Sequence, residues 1–582
     1  MEKGRLNRRQ FLGGVGGATS AALLLGGLTV STSLTSVDAL GQTGEVCPID
    51  TVQGGARSTA AYQLRVSTAE MAASLATPPP TCNNDEQVYP NGQASFTKAL
   101  PHDVLGEPDP AAFTALMTAL RSGNPEDFAA IPMGGELLLA NPQAAYAFDL
   151  EGPDSHALSI RHAPSFSSAE AAGELVEVYW HALLRDVPFN DFDDNNNNNG
   201  PGGGPGQQPP GGPGGGGNNN NGGGRNNQLV QAALDDLNNL SDFRGPRQNG
   251  RVTAQTLFRG NTAGDLVGPY ISQFLLLPFN NGPIAMEQRF EVPRPGQDFM
   301  TTFEEWRAVQ SGTVTRSLDF DNTRRYIRNG RDLGEYVHRD YPFSSALNAG
   351  LILYELGAPL DEANPYFANP TQDGFGTFGL PHMTYLVTSV AYRALKAAWC
   401  QKWLINRRLR PEAMAARVHV TKTGIGGYLI ENDVLESRAV QEIKNSFDSY
   451  LLPQAYPEGS PTHPSYPAGH STFSGACITM LKAFFDESWV IPNPMRVNND
   501  GTQLLNYNGS DLTVGGELNK LASNIALGRD IAGVHYRSDG IEGLNLGEQL
   551  AIGVLRELNA TYAERFSGFS LTKFNGERVT IE

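Results

Sequence analysis

The chain has 582 residues, 40% of them hydrophobic and 18% charged, and carries a formal net charge of −18. Such a length supports a large core and, as a prior, about two to four domains. The acidity argues against a nucleic-acid binder, which needs a basic face for phosphates. Any cluster of cations in such a chain is therefore a local device.

The N-terminus reads as a targeting segment. "NRRQFLGG" pairs Arg8 with Arg9, a Gly/Ala/Leu-rich stretch runs to about Val30, and "SVDAL" offers small residues for cleavage near Ala39. Residues 1–39 are thus expected to be a twin-arginine-type export signal and the mature chain to be periplasmic or extracellular. No later segment has the ~18 uninterrupted apolar residues of a membrane span. Cys47 and Cys82 lie in polar sequence, where an oxidising compartment permits a disulfide; Cys400 and Cys477 sit in apolar helical contexts. No C-x-x-C occurs, which argues against cysteine-ligated zinc.

Residues 195–227 are almost only Asn, Gly, Pro and Gln, too polar to offset their ordering entropy, and predict a disordered insertion between helices. Beyond it, apolar residues recur at i, i+3 and i+4 in "SSALNAGLILYELG", "HMTYLVTSVAYRALKAAWCQKWLINRRLR", "ACITMLKAFFDE", "ELNKLASNIALGRDIAG" and "LNLGEQLAIGVLRELNATYAERF". Strand-like runs are short, such as "VHVTKTG" and "ERVTIE". The pattern predicts a mainly α fold over residues 40–582, with helices packed as bundles, long loops and little β.

Three blocks carry the candidate chemistry. "KWLINRRLRPE" places Lys402 and Arg410 eight residues apart, about 80° around one helix and roughly 12 Å along it, with Pro411 expected to stop that helix. Alone, this block reads more readily as a solvated basic helix end. "HPSYPAGHST" delivers Gly469 and His470 to the first turn of an expected helix, where free N–H groups favour an anion and a histidine can exchange protons near neutral pH. "GRDIAGVHYRSD" holds Arg529, His535 and Asp539, with Gly533 permitting a bend; Asp539, one turn after His535, can fix its tautomer. Together, three fixed cations, two imidazoles and a glycine amide make a site for a tetrahedral oxyanion.

K…RP, P-S-x-P-x-G-H and G-R-x5-H-x-R-x-D resemble the superfamily of vanadium-dependent haloperoxidases and type 2 phosphatidic acid phosphatases. The likeness is strongest to algal and cyanobacterial bromoperoxidases, through the Lys402–Arg410 spacing, His463 and "FRGNTAGDLVGPYISQFL", and covers a core of about residues 250–560. It implies two packed four-helix bundles and a vanadate (vanadium(V)) cofactor. Lys402, Arg410, Arg529 and the Gly469 amide would hold equatorial oxygens, His535 would ligate the metal, and His470 would face the opposite apical oxygen. Lys402, His470 and His535 would be the catalytic residues; Gln401, Trp403, His463, Asp539 and Asp265 would surround them. Hydrogen peroxide and a halide, bromide first, would be the substrates. The hypohalous acid formed would halogenate a diffusible organic acceptor. A homo-oligomer, dimeric or larger, is also implied. Ala468 departs from the family's usual serine, removing one hydrogen bond to the oxyanion worth about 1.5–3 kcal/mol. Two other readings use the same pocket: an exported acid phosphatase with His535 as nucleophile and His470 as leaving-group acid, and an inactive oxyanion-binding protein.

Overall fold

The computed structural model describes residues 54–74, 79–192 and 222–582. The chain divides into Met1–Ala61 and Tyr62–Glu582; the second unit holds everything discussed below. The expected export signal, Cys47 and residues 195–221 of the insertion lie outside the described residues. Residues 222–227, expected to be disordered, instead open a helix, because the amphipathic run behind them carries helical structure back into the polar tract.

The helices that build the core are α1 (Ala169–Leu184), α2 (Gly222–Asn239), α3 (Gly330–Arg339), α4 (Ser344–Glu355), α5 (Leu380–Cys400), α6 (Pro411–Thr423), α7 (Gly469–Lys482), α8 (Val514–Ile531) and α9 (Arg537–Asn559). Strands among the described residues occur only as two-stranded antiparallel ladders. Two matter here: β1 (Phe279–Asn281) with β2 (Ile284–Met286), and β3 (Phe569–Thr572) with β4 (Arg578–Ile581) in the register Phe569↔Ile581. "ERVTIE" is thus a strand, but "VHVTKTG" is not. It ends α6, where Val418 and Val420 are fully buried, so packing overrides the strand preference of β-branched residues. No described helix is long and apolar enough to cross a membrane.

At the centre lies α7, of which every residue but His470 is buried. It packs between α5 and α9, and α8 packs on both α3 and α7. Close approach of α7 to α9 depends on missing side chains. A Cβ on Gly475 would stand 2.5 Å from the Leu544 carbonyl oxygen, and one on Gly547 would overlap the Thr472 carbonyl. The two backbones therefore touch, which sets the start of α7 beside the start of α9. These two helix starts carry His470 and, just upstream of α9, His535.

Candidate active site

Lys402 sits in a π-helical turn, Gln401–Asn406, that continues α5. Single π-turns recur at functional sites because they re-aim side chains. The expectation that one helix carries both Lys402 and Arg410 is overturned. Arg407 adopts left-handed backbone (φ 39°) and ends the helix, and Arg410 is the N-cap of α6. Pro411 starts α6 rather than stopping α5: at the first helical position its missing N–H costs nothing and its fixed φ fits. The two cations come together through this chain reversal.

The "HPSYPAGH" loop lies over them as a band of carbonyls. Lys402 Nζ donates to the carbonyls of Pro464 and Ser465, both at 2.7 Å, so two of its three N–H groups are taken. Arg410 donates from Nε to the His463 carbonyl (2.9 Å) and from Nη1 to the Val534 carbonyl (2.7 Å). Its Nη1 also lies 2.9 Å from His535 Nε2, and its Nη2 lies 2.9 Å from His463 Nδ1. Arg529, in the last turn of α8, donates to the Val337 carbonyl at 3.0 Å. Its Nε is buried with no partner.

After Arg529 the chain bends at Gly533, whose φ of +89° suits glycine, and His535 enters the same site. His535 Nδ1 donates to Asp539 Oδ2 at 2.8 Å, which leaves Nε2 as the lone pair, met by Arg410 Nη1 at 2.9 Å. Asp539 is itself fixed by Arg408 Nη1 at 2.7 Å, by the Ser465 hydroxyl and by the Tyr536 amide. Arg408 is completed by Glu174 at 2.8 Å and lies over the Tyr536 ring. His470, the second residue of α7, pairs through Nε2 with Asp340 Oδ1 at 2.9 Å.

Electrostatics separate the groups by task. Burial, then Arg410, Lys402 and Arg529, hold His535 well below the ordinary imidazole range, so it is neutral at physiological pH. His470 is also lowered, by burial and then by Arg529 and Lys402, against the opposing pull of Asp340. Burial and the neighbouring guanidinium groups push Lys402 well below the lysine range. Among the described residues no carboxylate pairs with Lys402, Arg410 or Arg529, since Asp539 is committed to Arg408 and His535. Three buried cations with no carboxylate hydrogen-bonded to them are costly alone and suit a multiply charged oxyanion. The unpartnered Arg529 Nε is a donor such an anion would satisfy. The residues therefore fit vanadate.

Several expected neighbours lie elsewhere. Trp403 is turned away into a separate cluster, edge-on to Phe96. Gln401 donates to the Leu158 carbonyl, because the π-turn rotates it toward that loop. Asp265 caps its own loop, accepting from the Thr262 amide and hydroxyl (2.8 and 2.6 Å) and from Ser523 (2.8 Å). The Ser471 hydroxyl, in the first turn of α7, has no partner and faces Gly540 of α9. His463 does join the site, on Arg410.

The sequence reading missed Trp399, Asp340, Ser465 and Arg408. Trp399 packs on His463 with ring centroids 4.8 Å apart, and its ring edge lies 3.5 Å from where a Gly469 Cβ would stand. Its position three residues before Lys402 was a usable signal, one helical turn on the same face. Asp340 lies 130 residues from His470 and offered none.

Comparison with known proteins agrees with this arrangement. The family described as the VCPO second helical-bundle domain matches residues 382–564. The vanadium-dependent bromoperoxidase of Corallina pilulifera is 35% identical, over 92% of this chain and 100% of its own. That of Ascophyllum nodosum is 36% identical over 84% of this chain and 86% of its own. The solved homohexameric second vanadate-dependent bromoperoxidase of A. nodosum superposes with a TM-score of 0.82 at 28% identity, covering 94% of each chain. The chain belongs to the vanadium-dependent haloperoxidases, in their bromoperoxidase branch.

Proposed function

We propose that this chain oxidises halide, bromide first, with hydrogen peroxide, using vanadate held by Lys402, Arg410, Arg529, the Gly469 amide and His535. The carrying observation is the set of three buried cations with no carboxylate hydrogen-bonded to them, one of which, Arg410, meets the Nε2 of His535. Vanadate bound there supplies a Lewis acid that activates hydrogen peroxide toward the halide without an electron-transfer cofactor.

The chain's own groups do the rest. Asp539 holds the Nδ1 proton of His535, so Nε2 presents a lone pair at any pH where the ring stays neutral. Lys402 and the two arginines fix negative charge at a water-poor site, where electrostatic preorganisation acts most strongly. Oxidising halide with peroxide consumes a proton and yields hypohalous acid and water. His470 is placed to handle that proton: with Nε2 engaged by Asp340, its Nδ1 is the nitrogen left to exchange it. His470 is also the one residue of α7 that reaches solvent, with its side chain 24% exposed.

The relatives' names support bromide as the halide and bromoperoxidation over phosphoester hydrolysis. The homohexamer of the A. nodosum relative supports an oligomer here, which light scattering on the purified chain would measure. Export rests on Arg8, Arg9 and the apolar stretch behind them, and N-terminal sequencing of secreted protein tests it. The function is tested by loading the apoprotein with vanadate and assaying two reactions. Peroxide-dependent bromination without phosphomonoester hydrolysis is expected; hydrolysis alone would overturn the proposal.

A further inference from the structure

Burial pushes the Arg410 guanidinium below its ordinary range, and the carboxylates that oppose this are Asp539 and Glu412. Either one, left unpaired, is a counter-ion for Arg410 and a competitor of any oxyanion bound there. Asp539 is occupied by Arg408 and His535. Glu412 stands in the first turn of α6, two residues after Arg410. Its Oε1 accepts from Lys98 Nζ at 2.6 Å, and its Oε2 accepts from the Ser460 amide at 2.7 Å. Both side chains of the Lys98–Glu412 pair are fully buried.

Lys98 comes from a segment 314 positions upstream of Glu412 and outside residues 382–564, which the family domain matches. That segment lies along the chain reversal between Lys402 and Arg410. Ser95 bridges to Arg408, the Phe96 amide donates to the Arg407 carbonyl at 2.8 Å, and the Phe96 ring meets Trp403 edge-on. Lys98 also donates to the Glu458 carbonyl at 2.6 Å. Burial lowers its affinity for a proton, the pair with Glu412 opposes that, and the charge of Arg410 adds to the lowering. Stability alone gives little reason to place a second buried cation there, because a buried ion pair is often no better than apolar residues of the same volume. What the pair does achieve is to occupy Glu412.

We propose that Lys98 is a positioning residue of the oxyanion site: by pairing with Glu412 it keeps that carboxylate off Arg410 and leaves the guanidinium free for vanadate or phosphate. The inference rests on the reading of Lys402, Arg410 and Arg529 as an oxyanion site, and it adds the residue that keeps one of them available. Arg408 and Lys98 then have parallel tasks, each occupying one carboxylate whose charge acts on Arg410.

The test strips the full chain of vanadate and measures its uptake of vanadate, and separately of inorganic phosphate, by equilibrium dialysis, with a thermal melt of each protein. Lys98→Met should bind both anions weaker by roughly tenfold or more, because the unpaired Glu412 turns to Arg410. Glu412→Gln breaks the same ion pair but removes the competitor, so it should bind both anions as tightly as the wild type or tighter. The double variant, Lys98→Met with Glu412→Gln, should recover to within about threefold of the wild type even if its Tm stays low. A merely structural pair would instead lose affinity in both single variants and again in the double variant. Unchanged binding in Lys98→Met, weaker binding in Glu412→Gln, or a double variant no better than Lys98→Met would overturn the proposal. If Lys98→Met does not fold, Glu412→Gln decides alone: affinity at or above that of the wild type supports the proposal and a loss overturns it. A wild type that takes up neither anion would overturn the oxyanion reading itself.

Discussion

Asp539 and His535 form a one-turn pair across the entry to α9, with the imidazole Nδ1 at 2.8 Å from the carboxylate. Arg408 and Ser465 hold the same carboxylate, so the ring is fixed from behind and only Nε2 faces the oxyanion pocket. Asp539→Asn keeps the shape but permits the amide to donate, which loosens the tautomer. Vanadate affinity should fall by about 10–100-fold, the usual effect of losing such a partner. Equilibrium dialysis of both proteins measures it.

Ala468 is fully buried and is the N-cap of α7, with φ −68° and ψ 126° and no side-chain cap. Ala468→Ser should tighten vanadate by up to tenfold for each ~1.4 kcal/mol gained, with turnover at saturation changing less. A serine there can also cap α7 itself, adding about 0.5–2 kcal/mol of stability. A vanadate titration paired with a thermal melt separates the two: higher Tm with unchanged affinity means the hydroxyl caps the helix.

Gly547→Ala should be strongly destabilising. Its methyl would collide with the Thr472 carbonyl, a backbone atom between two buried helices, so neither side can yield cheaply. Overpacking of this kind costs about 1–3 kcal/mol or more, and a melting point several degrees lower is expected by calorimetry.

His338 predicts a pH dependence of stability. Burial opposes its charge, but hydrogen bonds to Glu335 and Glu458 outweigh that and lift it to about 9. Its ring also stacks on Tyr456 at 3.8 Å. Because the folded value lies above the unfolded 6.5, the contribution is complete below 6.5 and lost as pH rises through about 9. Resistance of the wild type to urea unfolding should fall over that window, and His338→Gln should show a flatter dependence there.

What could be read from residues alone was local. The helical periods of α7, α8 and α9 are visible in the sequence, as are the Gly533 bend and the one-turn spacing of His535 to Asp539. The break between Lys402 and Arg410 was not, because the π-turn and the left-handed Arg407 carry no glycine or proline to announce them. Pro411 was noticed but read in the wrong direction: proline ends helices and also begins them. Trp403 was taken for a pocket residue on the family resemblance, whereas Trp399, one turn before Lys402, shares the face of Lys402. Asp340 and Arg408 act through contacts made only by folding, on residues 130 and 131 positions away.

In the function proposed, Lys402, Arg410 and Arg529 hold a tetrahedral oxyanion against His535. The most direct test is vanadate uptake by apoprotein in equilibrium dialysis, for wild type and His535→Ala, with and without phosphate. One vanadate per chain is expected in the wild type, displaced by phosphate because both anions need the same three cations. His535→Ala should bind vanadate weaker by roughly 100-fold, ~2.7 kcal/mol, and should not brominate at any peroxide concentration. Tight vanadate retention in His535→Ala, or wild-type uptake indifferent to phosphate, would contradict it.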